Sequence, residues 1–130
     1  MGQFSRNSSP EEPGHADYHY TLALLYGETG RAEDAVRALQ RTVEADPDFG
    51  RAWYNLGLAH AQLEQLDRAV DALRKAEQLT VDLPDVPYAR ATVHMRQGNK
   101  TAAREAAETA LKRDPAHVEA RSLLSVLRAE

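Results

Sequence analysis

The sequence predicts an all-α protein, a right-handed solenoid of three helix–turn–helix hairpins closed by a capping helix. Three observations carry that expectation. Ala, Leu, Glu, Arg and Gln dominate the 130 residues, a composition that favours helix over strand. Apolar residues recur at spacings of three and four, as Ala52, Leu56, Ala59 and Leu63 do. Residues 16–49, 50–83 and 84–117 align without a gap as blocks of 34. Tyr20, Tyr54 and Tyr88 then share a column, as do Ala35, Ala69 and Ala103, and Ala23, Gly57 and Ala91. Leu39, Leu73 and Ala107 make a fourth column, and Pro47 and Pro115 stand 68 residues apart, two periods.

Residues 1–15 are rich in Ser, Pro, Gly and Glu and read as a flexible leader before a domain spanning 16–130. The first block divides into a helix from Asp17 to Glu28, a stop at Thr29-Gly30, and a second helix from Ala32 to Ala45. Asp46-Pro47-Asp48 ends that hairpin and caps the next. The second block repeats the pattern over Gly50–Leu63 and Asp67–Leu79, the third over Val86–Gln97 and Lys100–Arg113. A last amphipathic segment, residues 116–129, begins a fourth block without its partner helix and covers the apolar face of the third.

Gly57 stands inside an expected helix, where glycine costs roughly 1 kcal/mol relative to alanine. Its place beside Ala23 and Ala91 in one column marks a close helix crossing. The third block departs from the pattern. Val81 stands where Pro47 and Pro115 stand, Pro84 and Pro87 follow, and Arg90 replaces Leu22 and Leu56. Proline is tolerated in a first helical turn, so this helix should start late, near Asp85 or Val86. Arg90 must reach solvent or pair with an acid. The joint between the second and third blocks is expected to be the least regular.

Composition narrows the function classes. Without cysteine there is no disulfide framework, thiolate nucleophile or zinc–thiolate site. A net charge of −4 argues against nucleic acid as a partner. The apolar runs are only a few residues long, which argues against a membrane span, and the first fifteen residues hold no signal-peptide block. The compartment stays open, with the cytoplasm as default. Charge runs from −4 in the first block through −1 to +2 in the third. That polarity allows weak, salt-dependent self-association or docking onto a neighbouring domain, against the plainer reading of a solvated surface. There is no phosphate-cradling glycine loop, no serine elbow and no His-Glu-x-x-His, so the chain is not expected to be an enzyme or to hold a cofactor.

The period, together with Trp53, Leu56, Gly57, Ala69, Leu73 and Ala76 at their spacing, resembles the tetratricopeptide repeat (TPR) family from Ala16 to the end. The resemblance implies a superhelix whose concave surface is lined by the first helix of each hairpin. Its exposed columns would include Asp17, Tyr20, Thr21, Leu24, Arg51, Tyr54, Asn55, Leu58, Ala61, Asp85, Tyr88, Ala89, Thr92, Met95 and Arg96. A groove for a partner peptide or helix is expected at Tyr20, Leu24, Arg51, Tyr54, Asn55, Leu58, Tyr88, Thr92 and Met95. The tyrosine ladder offers apolar area with a hydroxyl, although the same rings could brace neighbouring helices. Asn55 carries an amide suited to an extended ligand's backbone.

Some relatives hold a C-terminal carboxylate in a clamp of lysines, an arginine and asparagines. Asn55 matches one place, but Tyr20, Leu24, Asp85 and Ala89 fill the others, which argues against chaperone-tail binding. His60 and His94 share a column and are read as core residues, not as a metal site. The function expected is non-catalytic protein–protein interaction. The alternative is a structural, assembly or spacer module, as the C-terminal part of a larger protein.

Overall fold

The computed structural model describes residues 13–129, which form seven helices: α1 (Pro13–Glu28), α2 (Ala32–Ala45), α3 (Gly50–Gln62), α4 (Leu66–Leu79), α5 (Asp85–Gln97), α6 (Lys100–Arg113) and α7 (Val118–Ala129). Each lies against its chain neighbours, so α1–α2, α3–α4 and α5–α6 are hairpins stacked in sequence and α7 closes the stack. The described residues form an α-solenoid without strands. Most of the expected leader, residues 1–12, lies outside the described part, but its last three residues, 13–15, belong to α1. Proline suits a first helical turn, where its missing N–H leaves no bond unmade.

Each hairpin turns by the same device. The carbonyls of Tyr26, His60 and His94 accept the N–H of Arg31, Gln65 and Asn99, each at 2.9 Å, which closes the first helix and releases the chain into the second. The turn needs a left-handed residue one position earlier. Gly30 (φ 75°) and Gly98 (φ 79°) supply it at no steric cost, whereas in the middle hairpin Glu64 adopts it at φ 61°. The core is built of small residues because the helices approach closely. A Cβ on Gly57 would lie 2.6 Å from Leu73 Cγ and 3.1 Å from the Ala69 carbonyl oxygen, so only glycine fits the α3–α4 crossing.

The joints between hairpins also share a turn: Phe49, Leu83 and His117 donate their N–H to the carbonyls of Asp46, Thr80 and Asp114 at 3.0–3.2 Å. The joint expected to be irregular therefore keeps the common backbone bond despite Val81. α5 begins at Asp85, one position later in its block than α3. Two long side chains reinforce this joint. Arg113 donates to the carbonyls of Thr80 (2.7 Å), Leu83 (2.8 Å) and Glu77 (3.1 Å). Buried Arg90 pairs with Glu77 through Nε and, at 3.1 Å, through Nη2. The arginine that replaced leucine has found an acid on the preceding helix, and two-pronged pairing is the geometry a guanidinium favours.

Candidate partner-binding groove

Tyr20, Leu24, Arg51, Tyr54, Asn55, Leu58, Tyr88, Thr92 and Met95 lie on α1, α3 and α5. Leu24 and Arg51 are exposed and the other seven half-buried. Ala61 and Ala89, expected on the open surface, are instead buried. Both belong to a core cluster with Ala69, Val70, Leu73 and Val93, and Arg96 reaches across to the Ala61 carbonyl at 2.9 Å.

The tyrosine ladder is braced from within. The Tyr20 ring lies 4.5 Å from Phe49, and the Tyr88 ring 5.1 Å from His117. Phe49, Leu83 and His117 share the column that ends each block, so the final residue of a repeat supports that repeat's tyrosine in the first and third. Asn55 is not the free amide that its column implies. Its Nδ2 donates to the Tyr20 hydroxyl at 3.0 Å, tying α3 to α1 across the groove floor. The bond spans 35 residues, one more than the period. Thr92 turns its hydroxyl back to the Ala89 carbonyl at 2.7 Å.

Two cavities open on this surface, one on each side of Leu58. The first, about 320 Å³, is lined mainly by Ala23, Leu24, Leu39, Leu58 and Ala59, with Asn55, Gln62 and Glu28 as its polar part. The second, about 290 Å³, lies among Tyr54, Leu58, Tyr88, Ala89 and Thr92, with Asp85, His117 and Glu119 at its polar side. Burial pushes the Tyr54 phenol upward, and the Asp85 carboxylate adds to the push while Arg51 opposes it.

His117, which the sequence reading passed over, fixes the geometry of the second cavity. Its Nδ1 accepts the Ala120 N–H at 3.1 Å, capping α7. Nε2 must then carry the proton that it donates to Asp85 Oδ1 at 2.8 Å. A polar residue in a column otherwise filled by Phe49 and Leu83 was the available signal. His60 and His94 are buried, with Nδ1 held by the side-chain oxygens of Gln65 (2.7 Å) and Gln97 (2.8 Å). Burial lowers the pKa of His94, and Arg90 adds to the lowering while the Gln97 bond opposes it. Among the described residues no group of three or more His, Cys, Asp or Glu side chains is placed to hold a metal ion, and no helix is long and apolar enough to cross a membrane.

An α-solenoid of 34-residue helical hairpins, with Tyr20, Tyr54 and Tyr88 half-buried in one column, defines a helical repeat protein. The chain belongs to the tetratricopeptide repeat family, whose model matches residues 20–82 and 88–130. It is 33% identical over 102 residues, 75% of this chain, to the cytochrome c-type biogenesis protein CycH of Pseudomonas aeruginosa. The chain spans about a quarter to a third of the length of the curated relatives it matches, 25% for CycH and 34% for another. The crystal structure of MamA superposes with a TM-score of 0.86 at 25% identity, over 91% of this chain and 69% of that one. The first TPR of Spaghetti (RPAP3), bound to an HSP90 peptide, also gives 0.86, at 17% identity over 94% of this chain and 97% of that one. At that identity the likeness is one of fold.

Proposed function

We propose that this chain is a protein–protein interaction module that holds an extended or helical segment of a partner in the groove formed by Tyr20, Leu24, Arg51, Tyr54, Asn55, Leu58, Tyr88, Thr92 and Met95. The observation that carries the proposal is the pair of cavities flanking Leu58 on one continuous surface. Side chains projecting from a single bound segment could enter both. The peptide-bound Spaghetti repeat, alike in fold, supports the reading by analogy. It does not extend to a carboxylate clamp, because Tyr20 is bonded to Asn55 and Asp85 to His117. Affinity capture with Tyr54→Ala plus Asn55→Ala as control is the test. The double variant should lose the partner while circular dichroism shows its helicity kept, and retained capture would sink the proposal.

A second reading, an assembly module, draws on a different observation: Tyr18 and Leu25 are exposed at the N-terminal end of the stack. It predicts self-association, seen in sedimentation, that survives the groove variant.

A further inference from the structure

The two cavities of the groove differ in chemistry, and the difference points to what the bound segment must carry. We infer that the cavity among α3, α5 and the start of α7 is a subsite for a lysine or arginine side chain of the partner, an inference that rests on the groove reading. Its walls are the Tyr54 and Tyr88 rings and Leu58. These can cover the aliphatic stem of a long cationic side chain and present ring faces to its charge.

Its polar side is anionic. Asp85 and Glu119 both line the cavity, and no lysine or arginine does. Arg51, one helical turn before Tyr54 on α3, is exposed and outside the lining. His117 does not cancel the carboxylates, because a neutral imidazole satisfies both of its bonds: Nδ1 accepts from Ala120 and Nε2–H donates to Asp85. That donation holds Asp85 in place through Oδ1. Glu119 approaches His117 Nδ1 only to 3.8 Å. Other acids at the rims of the stack are already matched, as Glu64 is by Arg96 and Glu108 by Arg128. The cavity across Leu58 is largely apolar. The segment that fits both therefore presents a large apolar residue and a cation on one side.

The test uses a random peptide library displayed on phage, selected on the intact protein and on three variants: Asp85→Asn, Glu119→Gln, and Tyr54→Ala with Asn55→Ala. Asparagine at 85 can still accept the His117 proton, and Glu119 is an exposed side chain, so both single variants should keep wild-type helicity. The intact protein should enrich peptides with Lys or Arg near a large apolar residue. A synthetic copy of the best peptide should bind each single variant about 2- to 5-fold more weakly, the range for exposed charge pairs. Replacing its cation by methionine should weaken binding to the intact protein more than binding to the Asp85→Asn protein, which keeps only Glu119. Enriched peptides that lack a cation, or that bind the intact protein and both single variants equally, overturn the subsite. If such peptides are still lost by the Tyr54→Ala, Asn55→Ala protein, the groove reading stands alone. Peptides retained by that protein, or no enrichment at all, overturn both.

Discussion

The two ends of the stack are finished differently. In α3, α5 and α7 three equivalent columns are buried against the preceding helix: Ala52, Leu56 and Ala59, then Val86, Arg90 and Val93, then Ala120, Leu124 and Leu127. In α1 the same columns hold Tyr18, Leu22 and Leu25, with Tyr18 65% and Leu25 55% exposed. At the other end, the face of α7 that would meet a second helix of its own carries Arg121, Ser125 and Arg128, all exposed. In a repeat array each unit is stabilised mainly by its neighbours, and an end must be polar to face water. The face of α7 named here is polar, whereas the corresponding outer face of α1 is apolar. Position in the array, more than residue type, thus decides what a leucine in this column contributes.

The largest effect should come from turning an interior joint into something like an open end. Glu77 and Arg90 are paired across α4 and α5 with side chains only 13% and 10% exposed. Removing one partner of a buried pair leaves a charge uncompensated, so Glu77→Ala should cost about 3 kcal/mol. Urea denaturation would measure it, and hydrogen exchange should show α5 opening ahead of α3. In the intact protein Tyr88–Met95 should be protected about as well as Trp53–His60, because Arg113 and Arg90 brace the joint. Next in size is Leu56→Ala, which empties a buried site between α2 and α3 and should cost about 2–3 kcal/mol in the same assay.

Acid should act on both halves of the comparison. His94 in the interior and His19 near the open end both have pKa values lowered from 6.5, first by burial. The unfolded chain then takes up protons before the folded one. Stability is complete above the unfolded pKa and falls as pH drops below it toward the folded values. Melting temperature should fall between about pH 7 and about pH 5, and His94→Gln should flatten that fall. An unchanged slope in the variant would remove His94 as a cause.

Most of the fold was legible because the 34-residue period repeats every helix boundary. α2 and α6 run as the spacing predicts, and each of the other five helices shifts at one end only, by one to four residues. The shifts have local causes. Pro13 can open a helix, and the turn at Asp114–His117 delays α7. The groove was legible by column but not by state. Whether Ala61 is open, or Asn55 free, depends on Arg96 and on Tyr20, each 35 residues away in sequence. Glu64 was hidden in a similar way. The glycine column of the hairpin turns is visible at Gly30 and Gly98, but nothing in a glutamate announces a left-handed backbone.

The smallest expected effect tests the comparison most directly. Leu25 and Ala59 occupy one column, yet Leu25 is exposed while Ala59 is buried. If the array position governs, Leu25→Ser removes little buried surface and should change stability by no more than about 0.5 kcal/mol, as surface substitutions do. Ala59→Ser puts a hydroxyl into the α2–α3 interface and should cost about 1–2 kcal/mol, the burden of a buried polar group with incomplete bonding. Paired urea titrations at low protein concentration measure both. A large loss in Leu25→Ser would mean that the α1 stripe is already covered in solution, and it should then shrink on further dilution if a second copy provides the cover.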